Sequence, residues 1–304
     1  MNPLKAIKDK VKNKFNLTLA RIEFNHKYHL KKYILEQNIL FCKELGISIS
    51  KYCNHDIIVS LTTYGERLHE VHLAIESIME QTMKANRIIL WLDYSLQNTP
   101  LPKALQLQQK RGLEVKFCED IRSYKKLIPT LKICPNDAII TIDDDLIYEF
   151  DVLENLIIPY LSNPSYIYCH RYHRMILDKN GKLLPYKEWK HCYNDMNPHT
   201  LNFPTTGAGT LFPPNVFCRE VFNQDEFMNI CKHADDVWFK AMSLKTKTLV
   251  KKVNSHSERG DDYLENPNAQ VNSLYKINVL GESLNDKQIN DVFTTYDLYK
   301  LLLE

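Results

Sequence analysis

Short apolar runs of the strand type alternate with helical patterns through the middle of the chain. Runs rich in isoleucine, leucine and valine lie at 57–61, 87–92, 113–117 and 138–142. Near-continuous apolar runs of this length are typical of strands that are buried on both faces of a parallel sheet. The alternation of strand and helix therefore predicts an α/β fold, with a mostly parallel central sheet flanked by helices and linked by right-handed crossovers.

The first 45 residues follow a helical period instead. Apolar residues recur there at steps of three or four positions, and lysines fill many of the positions between them. These apolar residues are Leu4, Ile7, Val11, Phe15, Leu19, Ile22 and Leu30. We therefore predict an amphipathic helix over 3–45. We assign residues 1–55 to a helical extension and residues 56–304 to a single α/β domain.

The charge of the extension differs from that of the whole chain. The net charge of the protein is only +2, so the molecule is not an evident nucleic-acid binder. Residues 1–32, however, hold nine lysines and arginines against two acidic residues. Such a helix can lie on an anionic membrane surface, or it can pack on the protein's own core and expose its lysines. The sequence leaves both interpretations open.

The overall composition is that of a globular protein, with 44% hydrophobic and 25% charged residues. Its eight cysteines are scattered, without a CxxC pair or a Cys/His spacing typical of metal ligands. This favours a reduced, cytoplasmic location over a disulfide framework. We find no signal peptide and no uncharged apolar stretch of about 18 residues, so we expect no transmembrane helix.

The pattern is less regular beyond residue 150. We predict a helix that ends near residue 160 and short strands at 166–170 and 248–253. The stretch 178–204 is rich in turn-forming and aromatic residues, and we expect it to be irregular. The last 45 or so residues are polar, with a weak helical pattern at the end.

Three consecutive carboxylates, Asp143, Asp144 and Asp145, follow the apolar run 138–142. Ligands of α/β sheets bind beyond the carboxyl ends of the strands. Three acids at such a place repel one another unless a cation lies between them. Oxygen ligands suit Mg²⁺ or Mn²⁺, ions that are often shared with substrate phosphates. The alternative is a solvated acidic turn at a strand end.

Further polar residues lie where strands are predicted to end. A strand-to-helix junction carries Thr62, Thr63, Tyr64 and Arg67, groups that suit a nucleotide's base, ribose and phosphates but also occur in ordinary turns. Asp93 and Lys126 can contact a nucleoside and a diphosphate, or they can be ordinary loop residues. Neither a GxGxxG fingerprint nor a P-loop is present.

Three more features can take part in chemistry. Gly207 and Gly209 form a loop whose backbone can approach a ligand closely or simply turn. Asp235 and Asp236 can cap a helix, or one of them can act as a general base. His256 can be a metal ligand, although a single histidine is more often structural.

Taken in order, these motifs resemble bacterial GT-A-fold glycosyltransferases of the family-2-like kind. The resemblance spans about residues 56–256 and is carried by the motif order and spacing rather than by any one motif. The segments that carry it are 59–67, 77–82, 88–92, 126–129, the triplet with Tyr148, the glycine loop before Pro213 and Pro214, and 234–238.

The resemblance implies a Rossmann-like GT-A fold, a nucleotide-sugar donor and a Mn²⁺ or Mg²⁺ ion held by a DxD motif. The implied metal ligands are Asp143, Asp145 and His256, with Asp145 favoured as the direct ligand. The implied catalytic residues are Asp235 and Asp236, one of which serves as the base of an inverting reaction. The implied donor-binding residues are Thr62, Thr63, Tyr64, Arg67, Asp93, Lys126, Asp143, Asp144, Gly207 and Gly209.

The resemblance also implies the biological setting. Such enzymes extend saccharide or lipid-linked acceptors of lipopolysaccharide or capsule at the inner face of the membrane, typically with a UDP-sugar. The Gln-x-x-Arg-Trp sequence of processive synthases is absent, which favours the addition of a single sugar.

Two other functions remain open on sequence grounds. A sugar-phosphate nucleotidyltransferase has a similar layout, but its first loop is normally rich in glycine and basic residues, and 62–67 has one glycine. A non-catalytic module that binds membrane surfaces would leave the two acidic clusters without a role.

Overall fold

The computed structural model describes residues 3–267 and 284–303, with the backbone alone for 3–11 and 13. The chain divides into two compact units, residues 1–42 and 43–304. The first unit is one long helix, α1 (Pro3–Phe41). The second is an α/β domain. The domain boundary that we placed at residue 55 stays a prediction.

A seven-stranded sheet forms the centre of the second unit, in the order β10-β6-β9-β4-β1-β2-β3. All neighbouring pairs are parallel except those of β9, which runs antiparallel to β4 and β6. The strands of this sheet are β1 (Ile57–Thr62), β2 (Arg87–Asp93), β3 (Leu113–Cys118), β4 (Ala138–Thr141), β6 (Ile167–Cys169), β9 (Thr210–Phe212) and β10 (Val250–Lys252). The expected α/β fold with a mostly parallel sheet, of the GT-A type, is therefore confirmed.

Helices cover both faces of this sheet because its strands are apolar on both sides. In β1, Ile57, Val59 and Leu61 pack into one apolar cluster, whereas Ile58 packs into another on the opposite face. The α-helices of the second unit are α2 (His72–Met79), α3 (Lys103–Gln109), α4 (Ile128–Ile133), α5 (Val152–Ser162), α6 (Gln224–Ile230), α7 (Asp235–Leu244) and α8 (Leu284–Thr295).

Two antiparallel ribbons stand beside the sheet at the edge where β4 ends. β5 (Leu146–Tyr148) follows the acidic triplet directly and pairs with β11 (Tyr263–Glu265). β7 (Tyr172–Arg174) pairs with β8 (Asn202–Pro204). These ribbons and β9 are not predicted from the sequence, since a strand of three residues leaves little periodicity.

Some element boundaries differ from the expectations. The strand expected over 248–253 is limited to β10, and the region 178–204 contains β8 and a short 3₁₀ turn at Tyr186–Glu188 within otherwise irregular chain. The expected helical finish is α8, but the part of the polar C-terminal region at 268–283 lies outside the described residues.

All eight cysteines are free thiols. In the part of the chain that the structure describes, none of the helices is both long enough and apolar enough to cross a membrane.

Candidate functional site

The acidic triplet lies at the carboxyl edge of the central sheet. β1 and β4 are parallel neighbours, with Ser60 opposite Thr141 in the register. Their chain continuations, Thr63 after β1 and the triplet after β4, therefore emerge at the same edge. The sheet topology thus brings together residues that lie about 80 positions apart in the sequence, as α/β topology does at its ligand sites.

Asp144 is held by the strand-to-helix junction after β1. Thr63 Oγ1 donates a hydrogen bond to Asp144 Oδ2 at 2.6 Å, and Arg67 Nη1 donates to Oδ1 at 2.9 Å. Burial raises the pKa of Asp144, although Arg67 and Thr63 oppose that shift. With both oxygens bonded inside the protein, Asp144 fixes the junction in place rather than offering a free ligand.

Asp145 is the least compensated acid of the three. The Arg67 guanidinium also reaches Asp145, with Nη1 at 3.3 Å from Oδ2. Burial and the neighbouring charges of Asp143 and Asp144 nevertheless raise the pKa of Asp145 to about 7. Negative charge therefore exceeds positive charge around this carboxyl group.

Asp143 is fixed on the opposite side of the triplet. Its Oδ1 accepts a hydrogen bond from Lys126 Nζ at 2.7 Å. Burial opposes ionisation of Asp143, but the Lys126 ammonium outweighs it and holds the pKa of Asp143 below its usual range. The Asp143 carboxylate also lies against the α-carbon of Gly207, where a Cβ atom would come within 1.8 Å of Oδ2.

This contact explains why residue 207 is glycine, and it makes a testable prediction. In the substitution Gly207→Ala the new methyl group displaces the Asp143 carboxylate from Lys126. We expect a loss of about 1–3 kcal/mol in the free energy of unfolding, as for other overpacked sites. Thermal or urea unfolding measures it.

The control for this prediction is a double-mutant cycle. In an Asp143→Ala background the carboxylate is gone, so Gly207→Ala should cost little. An equal cost in both backgrounds would show that the methyl group collides with something other than Asp143.

Lys126 joins the triplet to the second acidic cluster. Its ammonium lies 3.3 Å from Asp235 Oδ2, an ion-pair distance without a hydrogen bond, and it donates to Thr206 Oγ1 at 3.2 Å. Burial disfavours a charged lysine, but Asp143 and Asp235 more than compensate and raise the pKa of Lys126. The two acidic clusters that the sequence analysis singled out therefore form one site.

Asp236 has a different environment from Asp235. Its Oδ1 accepts two hydrogen bonds from Thr206, one from the backbone N at 3.0 Å and one from Oγ1 at 2.5 Å. Burial and the adjacent charge of Asp235 raise the pKa of Asp236 to about 6. Asp235 is 6% exposed, whereas Asp236 is partly exposed.

The triplet fits a divalent ion that takes some of its ligands from a substrate. Within 3–267 and 284–303, no three His, Cys, Asp or Glu side chains are arranged to hold a metal ion by themselves. Mg²⁺ is commonly bound through one or two carboxylates together with substrate phosphates. The Asp145 carboxylate suits such an ion because it is a hard oxygen ligand with excess negative charge around it.

His256 is placed at Asp151. Its Nε2 lies 2.9 Å and 3.0 Å from the two carboxylate oxygens of Asp151, which raises the pKa of His256. The Phe150 ring packs at 5.9 Å from the imidazole. Metal coordination by His256, and by Asp143, stays a prediction.

Four other residues predicted to bind the donor have contacts or backbone conformations of their own. The hydroxyl of Thr62 is bonded to the Trp91 carbonyl at 2.8 Å, so it serves the sheet. The exposed Tyr64 ring lies under the Arg67 guanidinium, 5.3 Å away. Asp93 caps a 3₁₀ turn through Ser95, with Lys125 Nζ at 4.0 Å. Gly209 has φ of 97°, which an L side chain rarely adopts.

Two residues at the site have no role that the sequence predicts. The Tyr148 hydroxyl donates to the Gly207 carbonyl at 2.5 Å and accepts from the Asp143 backbone N at 2.8 Å, so it ties the triplet to the glycine loop. Arg171 donates to Thr205 Oγ1 at 2.9 Å and to Asp261 at 3.2 Å, and its charge helps to lower the pKa of Asp143. Neither has a local motif, and only the place of Tyr148 shortly after the triplet gave a signal.

Comparison with known proteins identifies a family, and solved structures with partial similarity include the two described below. Residues 58–214 match the model of the family described as "Glycosyl transferase family 2". CMP:2-keto-3-deoxy-manno-octonic acid synthetase complexed with CTP is similar over 66% of this chain and 89% of that chain, at 10% identity and a TM-score of 0.37. The inositol-1-phosphate CTP transferase from T. maritima is similar over 82% of this chain and 96% of that chain, at 10% identity and a TM-score of 0.42. No curated protein sequence matches the chain.

Proposed function

The chain belongs to glycosyl transferase family 2, whose model matches more than half of its residues, and on this basis we propose that it transfers one sugar from a nucleotide-sugar donor to an acceptor hydroxyl. Membership makes the protein a nucleotide-binding enzyme of the transferase type. For the finer assignment we propose a UDP-sugar donor, a saccharide or lipid-linked acceptor of a bacterial surface polysaccharide or lipopolysaccharide, and inversion at the anomeric carbon.

One observation carries this proposal. The buried Lys126 ammonium lies between Asp143 of the triplet and Asp235 of the second acidic cluster, at 2.7 Å and 3.3 Å. A glycosyl transfer needs a site for the leaving diphosphate next to a base for the attacking hydroxyl. The Lys126 side chain thus contacts both the acidic triplet, which we propose for the metal and the diphosphate, and the carboxylate pair Asp235 and Asp236, which we propose for the base.

For the donor we propose a role for each side of the site. Arg67 and Lys126 supply positive charge for the diphosphate, a task that suits a guanidinium and an ammonium in a partly water-excluded site. Thr63 holds Asp144, which in turn fixes Arg67. Asp145 would hold a Mg²⁺ or Mn²⁺ ion, which would supply positive charge for the diphosphate.

For the base we propose Asp236. A general base works best when its pKa lies near the operating pH, and the pKa of Asp236 is raised to about 6. Asp236 is also partly exposed, whereas Asp235 is buried against Lys126. Asp236 then takes the proton of the acceptor hydroxyl as that oxygen attacks the anomeric carbon, and the bond to the diphosphate breaks on the opposite side.

A ligand panel tests the proposal. Thermal unfolding of the purified protein is measured with UDP-, GDP-, dTDP- and CMP-sugars and with nucleoside triphosphates, each with and without Mn²⁺ or Mg²⁺. A ligand at 100 times its Kd adds about 2.7 kcal/mol to the free energy of unfolding, a readily measured shift. We expect a metal-dependent shift with one nucleotide sugar of the nucleoside diphosphate type, followed by release of that nucleoside diphosphate when acceptor is added; a shift with the CMP-sugar alone would contradict a diphosphate leaving group.

The same panel separates the alternatives. A metal-dependent shift with a nucleoside triphosphate and with no nucleotide sugar would replace the proposal with a nucleotidyltransferase. No shift with any nucleotide would contradict a nucleotide-binding donor site altogether.

A further inference from the structure

The ribbon of β7 and β8 places an arginine beside the proposed base. The ladder extends by one pair beyond these strands, since Thr205 N donates to the Arg171 carbonyl oxygen at 3.1 Å. Successive side chains of a strand point to opposite faces, so Arg171 and His173 lie on the same face of the ribbon. Arg171 Nε donates to Thr205 Oγ1 at 2.9 Å, and the hydroxyl of the next residue, Thr206, donates to Asp236 at 2.5 Å. This face therefore adjoins the carboxylate pair.

Arg171 and a second arginine, Arg259, share one carboxylate. Arg171 Nη1 donates to Asp261 Oδ1 at 3.2 Å, and Arg259 Nε donates to Oδ2 at 2.9 Å. Within 3–267 and 284–303, neither arginine has another ion pair. The exposed Glu258 is thus paired with neither, and Asp143, whose pKa the Arg171 charge lowers, has its own lysine partner. The two guanidinium groups therefore carry one positive charge more than their shared carboxylate compensates.

The Arg171 guanidinium is fixed in place, but part of it has no partner. Nε is bonded to Thr205, and Nη1 is bonded to Asp261 and to the Tyr263 hydroxyl. Nη2 forms no hydrogen bond to any residue that the structure describes, although only 25% of the side chain is exposed. Arg259 is 70% exposed, with Asp261 as its hydrogen-bond partner through Nε. A guanidinium fork of this kind suits the oxygens of a carboxylate or a phosphate.

His173 adds a neutral N–H group on the same face. Its Nδ1 accepts a hydrogen bond from the Cys192 backbone N at 3.0 Å, so the hydrogen of the neutral ring is on Nε2. Burial, together with the charges of His191, Arg171 and Arg259, lowers the pKa of His173 to about 3, so the ring is neutral at pH 7. His173 is 8% exposed, and its Nε2 has no hydrogen-bond partner in the described part of the chain. A buried N–H group without a partner costs stability, which a bound acceptor oxygen would recover.

The position of these groups favours the acceptor sugar over the diphosphate of the sugar donor. Arg67 and Lys126, the cations that we propose for the diphosphate, bond directly to the triplet. Arg171 and Arg259 have no hydrogen bond to the triplet in the described structure. Arg171 is bonded instead to the segment that holds Asp236, the proposed base of the acceptor hydroxyl.

We propose that Arg171, Arg259 and His173 form an anion subsite for a carboxylate or phosphate group of the acceptor sugar. The acceptor is then an acidic saccharide. This inference rests on the proposed sugar transfer and names the class of its acceptor.

Calorimetric titration of the full chain, with Mn²⁺ and UDP present, tests the subsite. The probes are methyl β-D-glucuronide for a carboxylate and glucose 6-phosphate for a phosphate, and methyl β-D-glucoside is their uncharged counterpart. We expect one of the two acidic sugars to bind at least tenfold more tightly than the glucoside, as hydrogen bonds between charged groups allow. This preference should shrink as the salt concentration rises, because the subsite is partly exposed.

Two variants locate the preference. Arg259→Gln and Arg171→Gln should each reduce the tighter binding of the acidic sugar at least fivefold and leave the binding of the glucoside unchanged. Arg259 is exposed, so its substitution should not disturb folding. Arg219→Gln is the matched control, because Arg219 is an exposed arginine in the 3₁₀ turn Arg219–Phe222, without an ion pair among the described residues.

The outcomes separate this inference from the proposed function. Equal binding of acidic and neutral sugars, no binding of either acidic sugar, or an unchanged preference in Arg259→Gln would overturn the subsite. A loss of nucleotide-sugar binding in Arg259→Gln equal to its loss of acidic-sugar binding would assign the arginines to the diphosphate instead. The nucleotide-sugar shift in Tm of the wild type, measured on the same sample, tests the sugar donor site by itself. Its presence without an acid preference contradicts this inference alone, whereas its absence contradicts both.

Discussion

The substitution Asp145→Asn should remove sugar transfer while stabilising the fold at alkaline pH. Asparagine keeps the size of the side chain but cannot carry the charge that we propose holds the metal and donor. Loss of one preorganised electrostatic group of this kind lowers the rate about 10²–10³-fold. The measurement is the rate of nucleoside diphosphate release with saturating acceptor, together with the donor-induced shift in Tm.

The stability part of this prediction follows from the pKa of Asp145. In the folded protein without metal, burial and the two neighbouring aspartates raise that pKa to about 7, against about 3.9 for an unperturbed aspartate. The folded state thus binds the proton more tightly than the unfolded state, so the wild type loses stability as the pH rises from 4 through 7. Asp145→Asn removes this penalty, and its Tm in EDTA should exceed that of the wild type at pH 8 but not at pH 4.

The control is Asp225→Asn, which removes an exposed carboxylate on α6 and should change neither activity nor the pH dependence of Tm. Transfer by Asp145→Asn within tenfold of the wild-type rate would exclude Asp145 from the donor site. A lower Tm for the variant at pH 8 would show that the ion pair between Arg67 and Asp145 stabilises the fold by more than the burial of the Asp145 charge beside Asp143 and Asp144 destabilises it.

The sheet can be predicted well from the sequence because its strands are buried and therefore consist of apolar runs. The runs in β1, β2, β3 and β4 are apolar on both faces, and the structure places those strands within one or two residues of the predicted ranges. β9 escapes prediction because three residues between Gly209 and Pro213 give no period. Its antiparallel direction depends on pairing with β4 and β6, which a local pattern cannot report.

The candidate site is predictable in its parts but not in its connections. Acids at the end of a strand and at the start of a helix are visible in the sequence. The ion pairs of Lys126 with Asp143 and Asp235 depend on chain segments that meet only in the folded protein. The pairing of His256 with Asp151, 105 positions away, is a long-range contact of the same kind. Only the fold determines which aspartate is paired with a lysine or arginine and which has more negative than positive charge around it.

The substitution Asp236→Asn should abolish transfer to the acceptor while leaving donor binding intact. Asparagine keeps both hydrogen bonds from Thr206 but cannot take a proton. A general base contributes about 10²–10⁴-fold to a rate, so we expect the turnover number to fall by that factor. The donor-induced shift in Tm should stay close to that of the wild type, because Asp236 is bonded to Thr206 and is not among the residues that we propose hold the donor. The measurement is acceptor-dependent release of nucleoside diphosphate, set beside the shift in Tm.

The pH profile distinguishes a base from a structural carboxylate. A base must be ionised to act, so with saturating metal, which favours ionised Asp145, kcat/KM of the wild type should fall as the pH drops through about 6, the pKa of Asp236. Thr206→Val removes one hydrogen bond that favours the ionised form of Asp236, so it should move this acidic limb to higher pH. Its loss of rate at pH 8 should be smaller than that of Asp236→Asn. Thr246→Val, whose hydroxyl bonds to the Val216 and Ser243 carbonyls, is the matched control and should leave the profile in place. An unmoved limb in Thr206→Val, or full activity in Asp236→Asn, would exclude Asp236 as the base. Asp235, whose Oδ2 lies 3.3 Å from Lys126 Nζ, would then be the candidate for that role.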